Sequence, residues 1–275
     1  YKYYKKTRDK ERIAGVLNGL GIAYFLRFNF QGAINCYKKV IQISDTIGDQ
    51  FGVATASCNL ANVFNDRGYH LMAVDCFQRA LTISKKIGNS LMIGASLLGL
   101  AETFIKLSNY KKVKEYSEKA IEIFQSLGWR EKIVPPTHFI GMMHQAMGNY
   151  TSGLRFYRRA LRISEAIDNH QGLASSLVSI GSLFIDIGAF SKAKLYINSA
   201  LKTAATIKMQ KIEVDCYIHL CRMNLMMVDY LTAIGFYKEG VKKAKEIGEQ
   251  QRLLRLLLIF SEICYYREQY RKGFE

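Results

Sequence analysis

The sequence predicts an all-α solenoid of stacked antiparallel helix pairs, and three observations carry that prediction. Turn and packing residues recur every 40 residues, with no insertion from one end to the other. Inside each step the apolar residues keep helical spacing, as at Val53, Ala54, Ser57, Leu60, Ala61 and Phe64. Prolines number two in 275 residues, far below ordinary usage, which suits a chain that is nearly all helix.

Periodicity comes first, because a missed repeat misassigns the whole fold. The turn closing each pair reads Ile47-Gly48-Asp49, Ile87-Gly88-Asn89, Leu127-Gly128, Ile167-Asp168-Asn169 and Ile247-Gly248-Glu249, while Ile207-Lys208-Met209 lacks the glycine. The turn inside each pair carries an aromatic at Phe30, Tyr110, Tyr150, Phe190, Tyr230 and Tyr270, with His70 as the exception. Small residues follow at Ala33, Ala73, Gly153, Ala193 and Ala233, and again at Ala80, Ala120, Ala160, Ala200 and Gly240; Val113 and Val40 depart. A third small set is Gly21, Ala61, Ala101, Gly141, Gly181 and Cys221. Small side chains let two helices approach closely, and neither helix can bury its apolar face alone, so stacking must supply the stability.

Taken in order, helix pairs are expected at 10–27 with 31–47, 50–67 with 70–87, 90–107 with 110–127, 134–147 with 150–167, 170–187 with 190–207, and 210–227 with 230–247. Residues 1–6 read as the end of a second helix, and 250–267 as a seventh first helix whose partner opens at Tyr270. Residues 1–275 are thus expected to form one array, with about six full repeats over 10–248 and partial neighbours at 1–6 and 250–275. Natural arrays end in polar caps, and Leu253 to Phe260 is strongly apolar, so the expectation is a segment of a longer array. Pro135-Pro136 is expected to delay the fourth first helix behind a loop at 129–134; the competing reading is a hinge presenting Trp129.

Leu60, Ala61, Phe64, Ala73, Phe77 and Ala80 fall at the large-large-small offsets of the tetratricopeptide repeat, and the sequence resembles that family along its whole length. The resemblance implies a right-handed superhelical solenoid whose concave face is lined by the first helix of each pair. The usual repeat is about 34 residues and closes on a proline. Here no proline closes any repeat and the second helix is longer by more than a turn. In that form the chain is similar to the repeats of LGN/Pins-type G-protein regulators and to bacterial regulators with helical sensor arrays.

Several function classes fall away. No stretch reaches the roughly 20 apolar residues needed to span a bilayer, and Arg255 interrupts the best candidate. The six cysteines show no Cys-x-x-Cys spacing, and Cys36 and Cys76 share one position a repeat apart. They read as small buried hydrophobes in a reducing compartment, hence a cytoplasmic expectation. The Asn149-Tyr150-Thr151 sequon lies in a tight turn and is discounted. None of the five histidines (70, 138, 144, 170 and 219) pairs with another at helical spacing, so no metal or other cofactor is expected. His219 and Cys221 are two apart and point to different helix faces, which argues against a nucleophile and base. The expectation is a protein without catalysis.

Two surfaces remain. Non-core positions of the first helices give Asn59, Asn62 and Asp66, then Glu102, then His138 and Met142, then Ser182, then His219 and Arg222 as candidate partner-binding residues, with Thr55, Lys106, Gln145, Ser175, Ser179, Asp186 and Asp215 beside them. Asparagine amides both donate and accept, which suits the backbone of an extended peptide. The family's carboxylate clamp is not expected, because Ala95 and Gly99 stand where it needs polar side chains. The second surface is basic. Lys+Arg total 39 against 23 Asp+Glu, and the excess sits on second helices: Lys38, Lys39, Arg79, Lys85, Lys86, Lys111, Lys112, Lys114, Arg155, Arg158, Arg159, Arg162, Lys238, Lys242, Lys243 and Lys245. Such a field draws acidic partners. Nucleic acid ranks below an acidic protein, since the aromatics recur at core positions rather than between the charges. The expected function is an interaction scaffold or adaptor that holds a peptide or helical segment of a partner protein. A regulatory or sensor segment of a larger signalling protein is the alternative, and direct binding of an acidic polymer comes third.

Overall fold

The structure, a computed structural model, describes residues 9–272; the helix end expected at 1–6 lies outside the described residues. Within them are thirteen α-helices: α1 (Lys10–Leu26), α2 (Phe30–Ile47), α3 (Gln50–Asp66), α4 (His70–Lys86), α5 (Ser90–Lys106), α6 (Tyr110–Ser126), α7 (Arg130–Ala146), α8 (Tyr150–Ala166), α9 (His170–Asp186), α10 (Phe190–Thr206), α11 (Gln210–Met226), α12 (Tyr230–Glu246) and α13 (Gln250–Lys272). Odd-numbered helices are the first of each pair. No helix among the described residues is long and apolar enough to cross a membrane.

The turns explain the regularity. A residue with positive φ stands at 28, 48, 68, 88, 108, 128, 148, 168, 188, 208, 228 and 248, so the 40-residue step is two half-steps of 20. Glycine fills seven of these places at no steric cost. Phe28, Ser108, Asp168, Lys208 and Val228 adopt the same conformation at φ 53–62°. Lys208, where the turn glycine is missing, therefore strains the turn without abolishing it. At six of the twelve places the next residue caps the following helix: Asn29, Asp49, Asn89, Asn109, Asn169 and Asp229 accept the backbone N–H three positions on.

The chain divides into two compact units with the boundary inside α7, one up to Met143 and one from His144 onward. In the first, α1 packs on α3 and α3 on α5; in the second, α9 packs on α11 and α11 on α13. Among the described residues no second helix packs on another second helix. The first helices are thus the inner layer of each unit and the second helices the outer one. The recurrent alanines at 33, 73, 80, 120, 160, 193, 200 and 233 are fully buried. Gly99 shows how tight the fit is, because a Cβ there would lie 2.3 Å from the ring of Phe77, itself buried. Rings stack at one recurrent position, Phe104 on Tyr116 in the first unit and His144 on Phe156 and Phe184 on Tyr196 in the second, with centroids 5.5–5.6 Å apart.

Three expectations need correction. The fourth first helix does not start late: α7 begins at Arg130 and carries Pro135 and Pro136 inside it, so there is no loop at 129–134. The two missing N–H groups would have served the carbonyls of Glu131 and Lys132. Both residues are exposed, so water can serve those carbonyls, and the prolines fall early enough to be tolerated. Trp129 is held in the preceding turn, where its carbonyl accepts the Lys132 N–H at 3.1 Å. At the other end, α13 runs on to Lys272 with no turn near 268, so Tyr270 continues that helix instead of opening a partner. Finally, not every cysteine is a buried hydrophobe: Cys58 and Cys76 are half-buried and Cys264 is exposed.

Val228 is the one β-branched residue among these positive-φ positions, and it is exposed. Val228→Gly should raise the urea midpoint. The relief of about 1–2 kcal/mol of left-handed strain exceeds the roughly 0.5–1 kcal/mol that glycine loses in chain entropy. Gly99→Ala should do the reverse, lowering stability by about 1–3 kcal/mol through overpacking against Phe77, even though alanine is the better helix former.

Candidate functional site: the inner layer of first helices

In the first unit the inner layer is polar but lightly tied. Asn59 is half-buried, and its amide donates to the Asn18 carbonyl oxygen at 3.0 Å, a bond from α3 to α1. Asn62 and Asp66, further along α3, are exposed. Glu102 on α5 accepts from Lys106 at 3.3 Å, a pair within one helix that leaves both ends accessible. His138 on α7 is half-buried, and burial pushes its pKa down to about 4, so it is neutral at physiological pH. Met142 is exposed.

The second unit joins its candidates into a network across three repeats. Tyr157 Oη donates to Gln145 Oε1 at 2.7 Å, and Gln145 Nε2 donates to Asp186 Oδ2 at 2.6 Å and to Ser182 Oγ at 3.4 Å. Asp186 also takes Arg222 Nη2 at 2.9 Å, with the arginine the more exposed partner. The line Tyr157–Gln145–Asp186–Arg222 thus links α8, α7, α9 and α11. A second cluster lies further along: Arg252 on α13 grips Asp215 on α11 with two parallel hydrogen bonds of 2.9 and 2.8 Å. Arg252 also reaches Glu249 at 3.0 Å, and Glu249 takes Lys211 at 2.6 Å. Burial alone would raise the Glu249 pKa, but Lys211 and Arg252 outweigh it and hold the carboxyl below its usual range. Burial likewise opposes the Arg252 charge, and the two carboxylates more than restore it.

His219 sits on α11 one turn from both Asp215 and Arg222. Burial pushes its pKa down to about 4; Asp215 and Asp186 pull it up, while Arg222 and Arg255 add to the fall. Its Nδ1 is buried with no hydrogen-bond partner among the described residues. Cys221 does not address it, for the thiol donates to the Ala233 carbonyl at 3.3 Å and burial raises its pKa to about 12. No group of three His, Cys, Asp or Glu among the described residues could hold a metal. What the layer does offer is hydrogen-bond donors and acceptors of fixed direction, with a protonatable imidazole kept neutral among them.

All nine residues picked from the sequence lie on first helices, but they form no single cluster. Ser182 and Arg222 enter the second unit's network, while Asn62, Glu102 and Met142 hold the equivalent position in earlier repeats without joining it. Sequence reasoning missed Tyr157, which lies on a second helix and so outside the first-helix positions considered, and the Arg252–Glu249–Lys211 group. A signal existed: Glu249 replaces the Asn or Asp that caps other helices, which frees its carboxylate for the two cations.

A tetratricopeptide repeat profile matches residues 52–126 and 136–205, and another tetratricopeptide repeat profile matches residues 13–44. Among solved structures the chain is similar to the apo form of RapI, with TM-score 0.77, 16% identity, and 90% of this chain and 89% of that chain covered. It is also similar to the Rap conjugation gene regulator of the plasmid pLS20 in complex with the Phr* peptide (0.68, 17%, 96% and 78%). Aspartyl phosphate phosphatase F from Bacillus subtilis is a third (0.69, 14%, 97% and 73%). At such identities the likeness is one of fold. No curated protein matches the sequence.

The buried histidines make stability pH-dependent with a definite sign. Between pH 6.5 and 4 the unfolded chain holds a proton on His219 that the folded chain refuses, so stability must fall as pH drops through that window. His219→Gln should therefore shrink the difference in urea midpoint between pH 7 and pH 5. An unchanged difference would mean that the imidazole is not desolvated as described.

Proposed function

We propose a function that starts from one fact: the chain belongs to the tetratricopeptide repeat family. It is a protein-interaction module that holds a segment of a partner protein against its inner layer of first helices. The observation that carries this reading is the layer's division of labour. Gln145, Asp186 and Arg222 are locked to one another across repeats, which fixes the surface. The outer part of Arg222 stays accessible in that unit, and in the first unit Asn62 and Met142 stand exposed, with unspent donors, acceptors and apolar area. A preorganised polar surface with free valences suits an extended peptide, whose backbone needs partners at short intervals.

A regulatory role is the finer reading. Of the two resemblances in the sequence, the likeness in fold to Rap regulators supports the bacterial one over LGN/Pins-type proteins, and one of those Rap structures holds a peptide. The chain is read as a binding protein without catalysis. Its partner is a protein or peptide, and its place is the cytoplasm.

A random peptide library selected on the whole chain tests the proposal without knowledge of the natural partner. Selected peptides should bind Asn62→Ala/Arg222→Ala at least about tenfold more weakly than the parent, the loss of roughly 1.4 kcal/mol or more. The thermal midpoint of the variant should stay within a few degrees, since Asn62 is exposed and the Arg222–Asp186 pair is only half-buried. Peptides that bind both proteins equally would place the binding surface elsewhere.

A further inference from the structure

In the outer layer of the second unit, α8 carries a run of charge that no ion pair among the described residues neutralises. Arg155, Arg158, Arg159 and Arg162 follow one another at i, i+3, i+4 and i+7 along α8, so they share one face, and all four are exposed. Among the described residues none of them makes an ion pair. The second helices of the first unit are built differently. There Lys119 pairs with Glu115 at 2.7 Å, Lys114 with Glu118 at 4.0 Å, and Arg79 with Asp45 at 2.9 Å. The arginine face is also shaped: a depression of about 560 Å³ lies along it, lined by the four arginines together with Leu154 and Ile163, both half-buried. The basic character continues at the same register, for Lys202 on α10 and Lys242 on α12 stand one and two steps of 40 beyond Arg162, likewise unpaired and exposed.

We infer that this face of α8 is a second docking site, distinct from the inner layer, and that its occupant is an acidic amphipathic segment of a partner protein. Four like charges within two helical turns repel one another and favour an oppositely charged guest. Arginine spaced by helical turns matches carboxylates spaced the same way on a helix, and each guanidinium can grip a carboxylate with two hydrogen bonds. Leu154 and Ile163 add the apolar contact that distinguishes a docking site from a diffuse positive field. The aromatic ring beside the arginines argues against nucleic acid. Phe156 is stacked on His144 and lies under Arg155 at 5.3 Å, so it is not free to receive a base. Phosphate contact alone would have no use for the apolar lining.

The test uses the whole chain and a fluorescent synthetic helix of about 20 residues, long enough to cover α8, with glutamates on one side and leucines beside them. Three comparison probes are the same peptide with glutamine for glutamate, the same peptide with serine for leucine, and a single-stranded oligonucleotide. The acidic peptide should bind best. Its affinity should fall at least about tenfold in the variant Arg155→Gln/Arg158→Gln/Arg159→Gln/Arg162→Gln and hold in Asn62→Ala/Arg222→Ala. Should the fourfold variant lose helical circular dichroism, the pair Arg158→Gln/Arg162→Gln asks the same question with a smaller expected loss. The inference is overturned if the fourfold or paired variant binds like the parent, or if the parent binds none of the probes. It is equally overturned if the leucine-free peptide binds as well as the acidic amphipathic one, or if the oligonucleotide binds more tightly than any peptide.

Discussion

No helix of this chain can bury its apolar face alone, and everything else in the structure answers to that constraint. Each helix must lie against two or three neighbours at close range. The fully buried alanines and the contact of Gly99 with Phe77 set that range. Close approach in turn demands that every helix begin and end at the same height. That is why one left-handed residue and, at half of the junctions, one capping side chain recur at steps of 20 residues, even where the residue at the turn is as ill suited as Val228. The local strain at five such turns, at about 1–2 kcal/mol each, is small beside the burial of a helix face, so tertiary packing overrides local preference.

Packing also sorts the polar residues into two classes with different uses. On the inner layer, first helix touches first helix, so a side chain one repeat away comes within hydrogen-bond reach. Gln145 meets Asp186, and Arg252 meets Asp215, in half-buried surroundings where directed charge-assisted bonds hold their geometry. On the outer layer, second helices do not pack on one another, and among the described residues their charges pair within a helix, reach across to a neighbouring helix as Arg79 does to Asp45, or stay unpaired. The same composition thus yields a stiff inner surface and an outer surface whose character is mainly electrostatic. A surface whose donors are already oriented loses less entropy when a partner arrives, and a surface of unpaired arginines raises the rate at which an acidic partner finds it.

The fold was legible in the sequence to a degree few folds allow. The helix boundaries agree with those read from the spacing to within a residue or so through most of the chain, because a repeat states the same turn twelve times and errors at one turn are corrected by the others. The failures fall where a single residue type spoke louder than its position. Pro135 and Pro136 argued for a loop, yet they lie just inside the first turns of α7, where the bonds they remove involve exposed residues. Tyr270 matched the aromatic of the inner turn, yet the helix continues through it, since no glycine or other turn-former precedes it at the recurrent place.

The candidate site divides along a similar line. Sequence was enough to place the candidates on first helices, since that depends only on the chain's own period and on which helix of the pair is involved. It could not say that Gln145 would find Asp186 while Asn59 would find Asn18, because partners 41 residues apart meet only through the rise and rotation between stacked repeats. The paired lysines of α6, by contrast, were within its reach, since Lys114 and Glu118, like Glu115 and Lys119, stand four apart on one helix. Periodicity is a property of the chain, and the repeat announces it; the identity of a neighbour across repeats is a property of packing, and only the assembled helices decide it.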